Sequence, residues 1–205
     1  MTKPIEAAPD AWLYPGLLEP ERQKIVLAAL REVIAQAPLF VPVMPRTGAP
    51  FSVRMTNCGP LGWVSDAKGY RYQPTHPDGR RWPAIPEAIA AIWTQLLPEA
   101  PPPEACLVNY YAGPAKMGLH QDRDERALDV PVLSISLGDE ARFRIGGVTR
   151  KAPTRAFPLR SGDALTFGGA SRLAFHGIDR ILPGASALLA EGGRFNLTLR
   201  RVNPA

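Results

Sequence analysis

Cysteine is scarce in this chain of 205 residues, with Cys58 and Cys106 far apart and outside any CxxC spacing. That excludes a disulfide framework and the paired-thiolate zinc modules. Long apolar runs are also missing. No stretch reaches the length needed to span a bilayer, and Met1-Thr2-Lys3-Pro4-Ile5-Glu6 lacks the apolar core of a secretory signal. The expectation is a cytoplasmic protein without membrane association. No HExxH helix is present, no internal repeat, and no low-complexity tract beyond the spacer Pro98-Glu99-Ala100-Pro101-Pro102-Pro103. Acidic residues are outnumbered, and the net charge of +5 permits an anionic partner without requiring one.

What is present suffices for one domain, since 45% of the residues are hydrophobic and the length suits a single core. From Glu19 to Ala37, Ile25, Val26, Ala29, Leu30 and Val33 recur at helical spacing, with Pro20 in the first turn and Pro38 closing the segment. A second helix is predicted over Pro86 to Leu97, burying Ile89, Ile92, Trp93 and Leu96. Between them, Pro45 to Pro83 is rich in Gly, Pro and aromatics without a sustained period, which reads as loops with short strands. A connection of that length is functional or disordered more often than idle. After the proline spacer come strand-like runs at Ala105–Tyr111, Val130–Leu137, Ala141–Ile145, Arg155–Leu159, Ala164–Phe167, Arg172–His176 and Arg194–Val202. The series implies an all-β sandwich or jelly roll, mainly β with flanking helices.

Two groups of residues carry chemistry. His120-Gln121-Asp122 and the distant His176 supply two imidazoles and a carboxylate, the facial set that leaves positions open on non-haem iron(II). On an extended strand His120 and Asp122 point the same way. Alternation also puts Arg194, Asn196, Thr198 and Arg200 on one face and Phe195, Leu197 and Leu199 on the other. A solvated surface strand alternates in the same manner. Two arginines around an Asn and a Thr, however, make a row of donors suited to an acid with a carboxylate at each end. A keto acid that chelates an open-sited metal supplies electrons for oxygen chemistry, so both groups indicate iron(II), 2-oxoglutarate and O2.

With these residues in place, the chain resembles the AlkB-type iron- and 2-oxoglutarate-dependent dioxygenases that remove alkyl groups from nucleic-acid bases, and most closely their bacterial branch. The resemblance runs from about Arg54 to Arg201 through Met55-Thr56-Asn57-Cys58-Gly59, Leu107-Val108-Asn109, His120-Gln121-Asp122, Ser171-Arg172-Leu173, His176-Gly177 and the run from Arg194 to Arg200. HxD alone is weak; joined to RxNxTxR it is specific. The family has a double-stranded β-helix (jelly-roll) core with an N-terminal nucleotide-recognition lid. Here that implies helical support over 1–45, the lid over 46–83 and the core over 104–203.

By the same resemblance His120, Asp122 and His176 hold iron, and Asn109, Tyr111, Arg194, Asn196 and Arg200 hold 2-oxoglutarate, with the assignment of each arginine to its carboxylate left open. Trp63, Tyr70, Arg71, Tyr72, Asp124 and Arg150 are implied on the substrate side, Arg71 on a phosphate. Phe167 departs from the family, whose bacterial members carry Trp before the Gly-Gly pair. The activity implied is repair of N1-methyladenine and N3-methylcytosine type lesions: 2-oxoglutarate decarboxylation is coupled to hydroxylation of the alkyl group, which leaves as an aldehyde. The expected partner is alkylated single-stranded DNA, with double-stranded DNA and RNA left open, acted on by a monomer. Two alternatives stay open: a 2-oxoglutarate-dependent hydroxylase of a protein or small molecule, and a non-catalytic cupin-like metal-binding module. A zinc hydrolase gives no role to RxNxTxR.

Overall fold

The structure, a computed structural model, describes residues 3–204, so Met1 and Thr2 of the N-terminal run lie outside the described residues. Two antiparallel sheets face each other. The larger has seven strands in the order β1-β2-β11-β8-β13-β6-β3. These are Ile5–Ala8, Ala11–Tyr14, Ala164–Phe167, Val132–Gly138, Arg194–Arg200, Ala105–Tyr111 and Arg54–Cys58. The smaller has the order β10-β9-β12-β7, that is Arg155–Leu159, Glu140–Ile145, His176–Leu182 and Met117–His120. A separate hairpin, β4 (Gly62–Asp66) with β5 (Gly69–Gln73), stands beside them. Non-consecutive neighbours within both sheets make this the jelly roll that the strand series implied.

Apolar residues fill both sides of the larger sheet. Val108, Leu133, Ile135, Leu197 and Leu199 face the helices α1 (Pro20–Gln36) and α2 (Glu87–Leu96), where Leu30, Val33, Ile89 and Trp93 meet them. On the opposite face Met55, Leu107, Val132 and Leu165 pack against Phe143, Ile145 and Ile178 of the smaller sheet. Helix α1 has Pro20 at its first position, where a missing N–H costs nothing. Its buried stripe is Val26, Leu27, Leu30 and Val33. Ile25, assigned to that stripe from spacing, instead points outward and is exposed. The packed face is centred about one residue later than the pattern suggested.

Three further expectations change. The segment 1–45 is not helical support alone, because hairpin β1–β2 adds two strands to the larger sheet through β11. Asp10, at φ 57 in its turn, accepts from the Ala170 N–H at 2.8 Å and Gly168 N–H bonds its carbonyl. Strands of four residues carry too little period to be read beforehand. Secondly, Arg172–His176 is not a strand: a 3-10 turn at Gly169–Ser171 runs into further turn, and pairing begins only at His176. Thirdly, β3 inside the expected lid is an edge strand of the larger sheet, paired with β6 along its whole length. The β4–β5 hairpin is what stands clear of that sheet.

Trp93 is fully buried and its indole N–H has no partner. Trp93→Ala is expected to cost about 3 to 5 kcal/mol of unfolding free energy in urea titrations. Trp93→Phe should cost clearly less, since removing a buried unpaired donor recovers part of a penalty of about 1 to 3 kcal/mol.

Candidate active site

Strand pairing brings the two histidines together, with His120 at the end of β7 directly opposite His176 at the start of β12. Their ring centroids are 4.5 Å apart. Each Nδ1 lies near a backbone carbonyl two residues before it, Gly118 at 2.9 Å and Ala174 at 3.0 Å. With Nδ1–H donating there, Nε2 keeps its lone pair for a metal. The two Nε2 atoms stand 3.8 and 3.9 Å from the Asp122 carboxylate, and the ligand atoms of all three residues lie within 4.8 Å of one another. Burial, helped by His120, pushes the His176 imidazole down to about 4, so it is a neutral donor at neutral pH.

Asp122 does not reach this position as the next-but-one residue of a strand, for β7 stops at His120. Side chains from elsewhere hold it. Arg172 is buried and donates to the Asp122 carbonyl at 2.6 Å, the Val130 carbonyl at 2.9 Å and Glu125 at 3.1 Å. Arg200 donates to the Asp122 carboxylate at 2.7 and 3.0 Å and lies 3.4 Å from Glu125. Burial alone would raise the Asp122 carboxyl. Arg200, followed by the two histidines, outweighs it and holds the group well below the usual carboxylate range.

The polar face of β13 lines a cavity of about 630 Å³ between the sheets rather than facing solvent. Opposite it in register stand Tyr111 for Arg194 and Asn109 for Asn196. At the end remote from Asp122, Arg194 is fully buried yet meets only neutral partners: Ser136 Oγ at 2.8 Å and the carbonyls of Leu159 and Asp139 at 3.3 and 3.5 Å. Its Nε and the Asn109 Oδ1 have no partner among the described residues. Burial lowers the guanidinium to about 10 and raises the Tyr111 phenol to about 12. Asp163 and Tyr111 act on it electrostatically, but no ion pair with Arg194 forms among the described residues, so the buried cation is suited to receive a carboxylate.

The β4–β5 hairpin covers the mouth of this cavity. Asn57 of β3 clamps the Trp63 backbone from both sides, donating to its carbonyl and accepting from its N–H, each at 3.0 Å. Gly62 must be glycine, since a Cβ would lie 2.5 Å from the Trp82 ring. Trp63 stacks on Tyr70 with centroids 5.5 Å apart, and its indole N–H donates to Asp124 at 2.8 Å. Arg150 also lines the mouth, donating to the Leu119 carbonyl at 3.1 Å.

Two residues expected on the substrate side lie apart from the cavity lining. Arg71 is neutralised inside the hairpin by a two-pronged contact with Asp66 at 2.8 and 2.7 Å. Tyr72 turns inward and donates to Glu125, its phenol pushed well above the usual range by burial. Glu125 and Arg172 had been assigned no role from sequence. Glu125 sits in a run of charged residues that reads as solvated, and only its adjacency to the HxD group hinted otherwise.

A jelly roll that gathers two histidines and a carboxylate beside a buried, unpaired guanidinium defines the class of iron(II)- and 2-oxoglutarate-dependent oxygenases. The donor set fits that metal and the orphaned Arg194 Nε and Asn109 Oδ1 fit a dicarboxylate. The chain belongs to the 2OG-Fe(II) oxygenase superfamily, whose family model matches residues 10–200, and within it to the AlkB family. It is 52% identical to an alpha-ketoglutarate-dependent dioxygenase AlkB homolog of Caulobacter vibrioides, over 100% of this chain and 93% of that protein. Identity to the alpha-ketoglutarate-dependent dioxygenase AlkB of Escherichia coli is 40%, over 84% of this chain and 81% of that one. The solved structure of OsALKBH1 superposes with a TM-score of 0.85 at 33% identity, covering 97% of this chain and 100% of the other. Its cofactors are accordingly iron(II), 2-oxoglutarate and O2.

Glu125→Gln removes one of two buried carboxylates that neutralise Arg172 and Arg200. Breaking such a buried network is expected to cost about 3 to 5 kcal/mol, read as a lower denaturation midpoint.

Proposed function

We propose that this protein repairs alkylated nucleic acids by oxidising the alkyl group on a base, with N1-methyladenine and N3-methylcytosine in single-stranded DNA as preferred lesions. The observation that carries the reading is the aromatic hairpin over the metal centre, with Trp63 tied to Asp124 at the mouth of the cavity. A base worked on by an enzyme must leave its stack, and an aromatic face replaces the lost stacking. Such lesions carry a positive charge. Trp63 and Tyr70 then offer about 0.5 to 2 kcal/mol of cation–π attraction, and Asp124 offers the opposite charge.

His120, Asp122 and His176 would hold iron, and Asn109, Tyr111, Arg194, Asn196 and Arg200 would hold 2-oxoglutarate. When bound, the pair with O2 supplies an oxidant that hydroxylates the alkyl carbon, after which the adduct releases an aldehyde and the intact base. We assign Arg194 to the distal carboxylate, because it is buried among neutral groups far from the metal ligands, and Arg200 to the metal end, because it already contacts Asp122. Action as a monomer is part of the same proposal. Two buried free cysteines suit a reducing cytoplasm. Among the described residues no helix is long and apolar enough to cross a membrane.

The test is anaerobic reconstitution followed by oxygen and a singly methylated oligonucleotide, with loss of the methyl mass and release of formaldehyde recorded. Methyl loss is expected only with iron(II), 2-oxoglutarate and O2 together. Unchanged oligonucleotide alongside hydroxylation of a protein or aliphatic control would sink the reading.

Arg194→Lys should weaken 2-oxoglutarate binding about 10- to 100-fold, the equivalent of one charge-assisted hydrogen bond. Metal affinity should stay near the parent's. Arg200→Lys should weaken both, since it also releases Asp122; equal effects of the two variants on metal titrations would reverse the arginine assignment. Trp63→Ala and Asp124→Ala should raise KM for cationic methylated bases while 2-oxoglutarate binding stays nearly unchanged, and steady-state kinetics on matched oligonucleotides check it.

A further inference from the structure

The outer face of the smaller sheet carries a row of arginines that the active site does not use. Ala141, Phe143 and Ile145 of β9 point into the core, so Arg142 and Arg144 between them point outward, with side chains 53% and 38% exposed. Across the sheet Arg180 of β12 stands directly opposite Arg142. Like charges in directly opposed positions destabilise an antiparallel pair. One carboxylate serves two of the three: Asp179, at the irregularity in β12, lies 2.7 Å from Arg144 and 3.6 Å from Arg142. Arg180 is exposed and has no ion pair among the described residues. Glu140 on the same sheet is taken by Arg160 at 2.9 Å. The face therefore keeps an excess of two positive charges, held at a cost that the fold itself does not require.

This row is continuous with the mouth of the cavity. From Arg144 the chain passes Gly146 and Gly147 into the loop bearing Arg150, which lines the mouth with its guanidinium 5.7 Å from the Phe175 ring centroid. Opposite Arg144 is Gly177, where a Cβ would strike the Met117 carbonyl at 2.5 Å, and the neighbouring strand presents the exposed Gly118. No side chain at Gly177 or Gly118 stands between the row and the mouth.

We propose that this face is a second phosphate-binding surface, which holds the backbone of the substrate strand beyond the nucleotide in the cavity. The inference rests on the nucleic-acid reading above and adds a location to it: affinity for long substrates comes in part from Arg142, Arg144 and Arg180, away from the lid. Charge selects the occupant, since a sheet face with three arginines and one carboxylate matches a phosphodiester chain and gives direct contacts with no sequence preference.

The experiment compares the parent with Arg142→Gln/Arg180→Gln, which leaves the Arg144–Asp179 pair in place. Fluorescence anisotropy follows an unmethylated single strand of about 15 nucleotides, a length within the usual site size of such binders. The variant should bind several-fold more weakly, and the slope of log affinity against log salt should fall by about 1.4, or 0.7 per lost contact. KM should rise for a methylated strand of the same length and stay unchanged for a methylated trinucleotide, which is too short to reach the face. Arg142→Lys/Arg180→Lys should bind as the parent does, since a phosphate contact needs the charge. Unchanged affinity and salt slope in the Gln variant, as a face serving an acidic protein would give, overturn the proposal; so does an equal loss on the trinucleotide. A parent inactive on the trinucleotide would instead count against the proposed function, while the anisotropy comparison would still decide the role of the face.

Discussion

Four buried charges, Asp122 and Glu125 against Arg172 and Arg200, hold the active site together. Each alone would be too costly to bury, and together they neutralise one another. The arrangement also ties distant parts of the chain: the segment after β7, the turn before β12, and the last strand. Because Arg172 grips the Asp122 carbonyl while Arg200 grips its carboxylate, both ends of that residue are fixed without help from a strand. Glu125 extends the group to the hairpin through the Tyr72 hydroxyl. The covering element is thereby fastened to the same charges that set the metal ligand.

The two arginines of the last strand illustrate how burial divides like residues. Arg200 has carboxylates beside it, and although burial opposes its charge, Asp122 outweighs burial and raises its pKa. Arg194 donates only to Ser136 and carbonyls, and burial outweighs the pull of Tyr111 and Asp163 and lowers it. One is a structural counter-ion beside Asp122, and the other is the arginine proposed above to receive the distal carboxylate. A pocket built in this way is asymmetric before any ligand enters, which gives an asymmetric keto acid one favoured orientation. Phe143 and Phe167 pack around His176, with ring centroids 6.0 and 4.9 Å away, and make the metal end apolar on that side. Phe167 is therefore in contact with a ligand ring, where its size shapes the space beside the metal.

Periodicity made much of the fold legible. The helices, strands β6, β8, β9, β10 and β11 and the polar face of Arg194–Arg200 follow from spacing, because side-chain direction is dictated by the 3.6 and 2.0 periods, whereas spacing predicts neither β7 nor any of β12 beyond His176. The pairing of HxD with a distant histidine and RxNxTxR named the chemistry, since few other chains have reason to place those groups together. Spacing failed where contacts are long-range. The strands of hairpin β1–β2 are too short to show a period, and β11 offers the pair an edge. Arg172–His176 has strand-like composition, yet Arg172 is drawn inward by Val130, Asp122 and Glu125, which takes it out of any ladder.

The sequence by itself determined the residue types and their facing: which donors share a strand side, and that a metal and a dicarboxylate are their natural ligands. Only the tertiary structure decided the roles of residues that alternation treats alike. Glu125 and Asp124 are neighbours in one charge run, but the first is buried against two arginines and the second meets Trp63 at the mouth. Arg71 and Tyr72 were both expected at the substrate, and Asp66 and Glu125 claim them instead. Apart from the Arg71–Asp66 pair, these partners come from segments tens of residues away, and no local pattern encodes which one arrives.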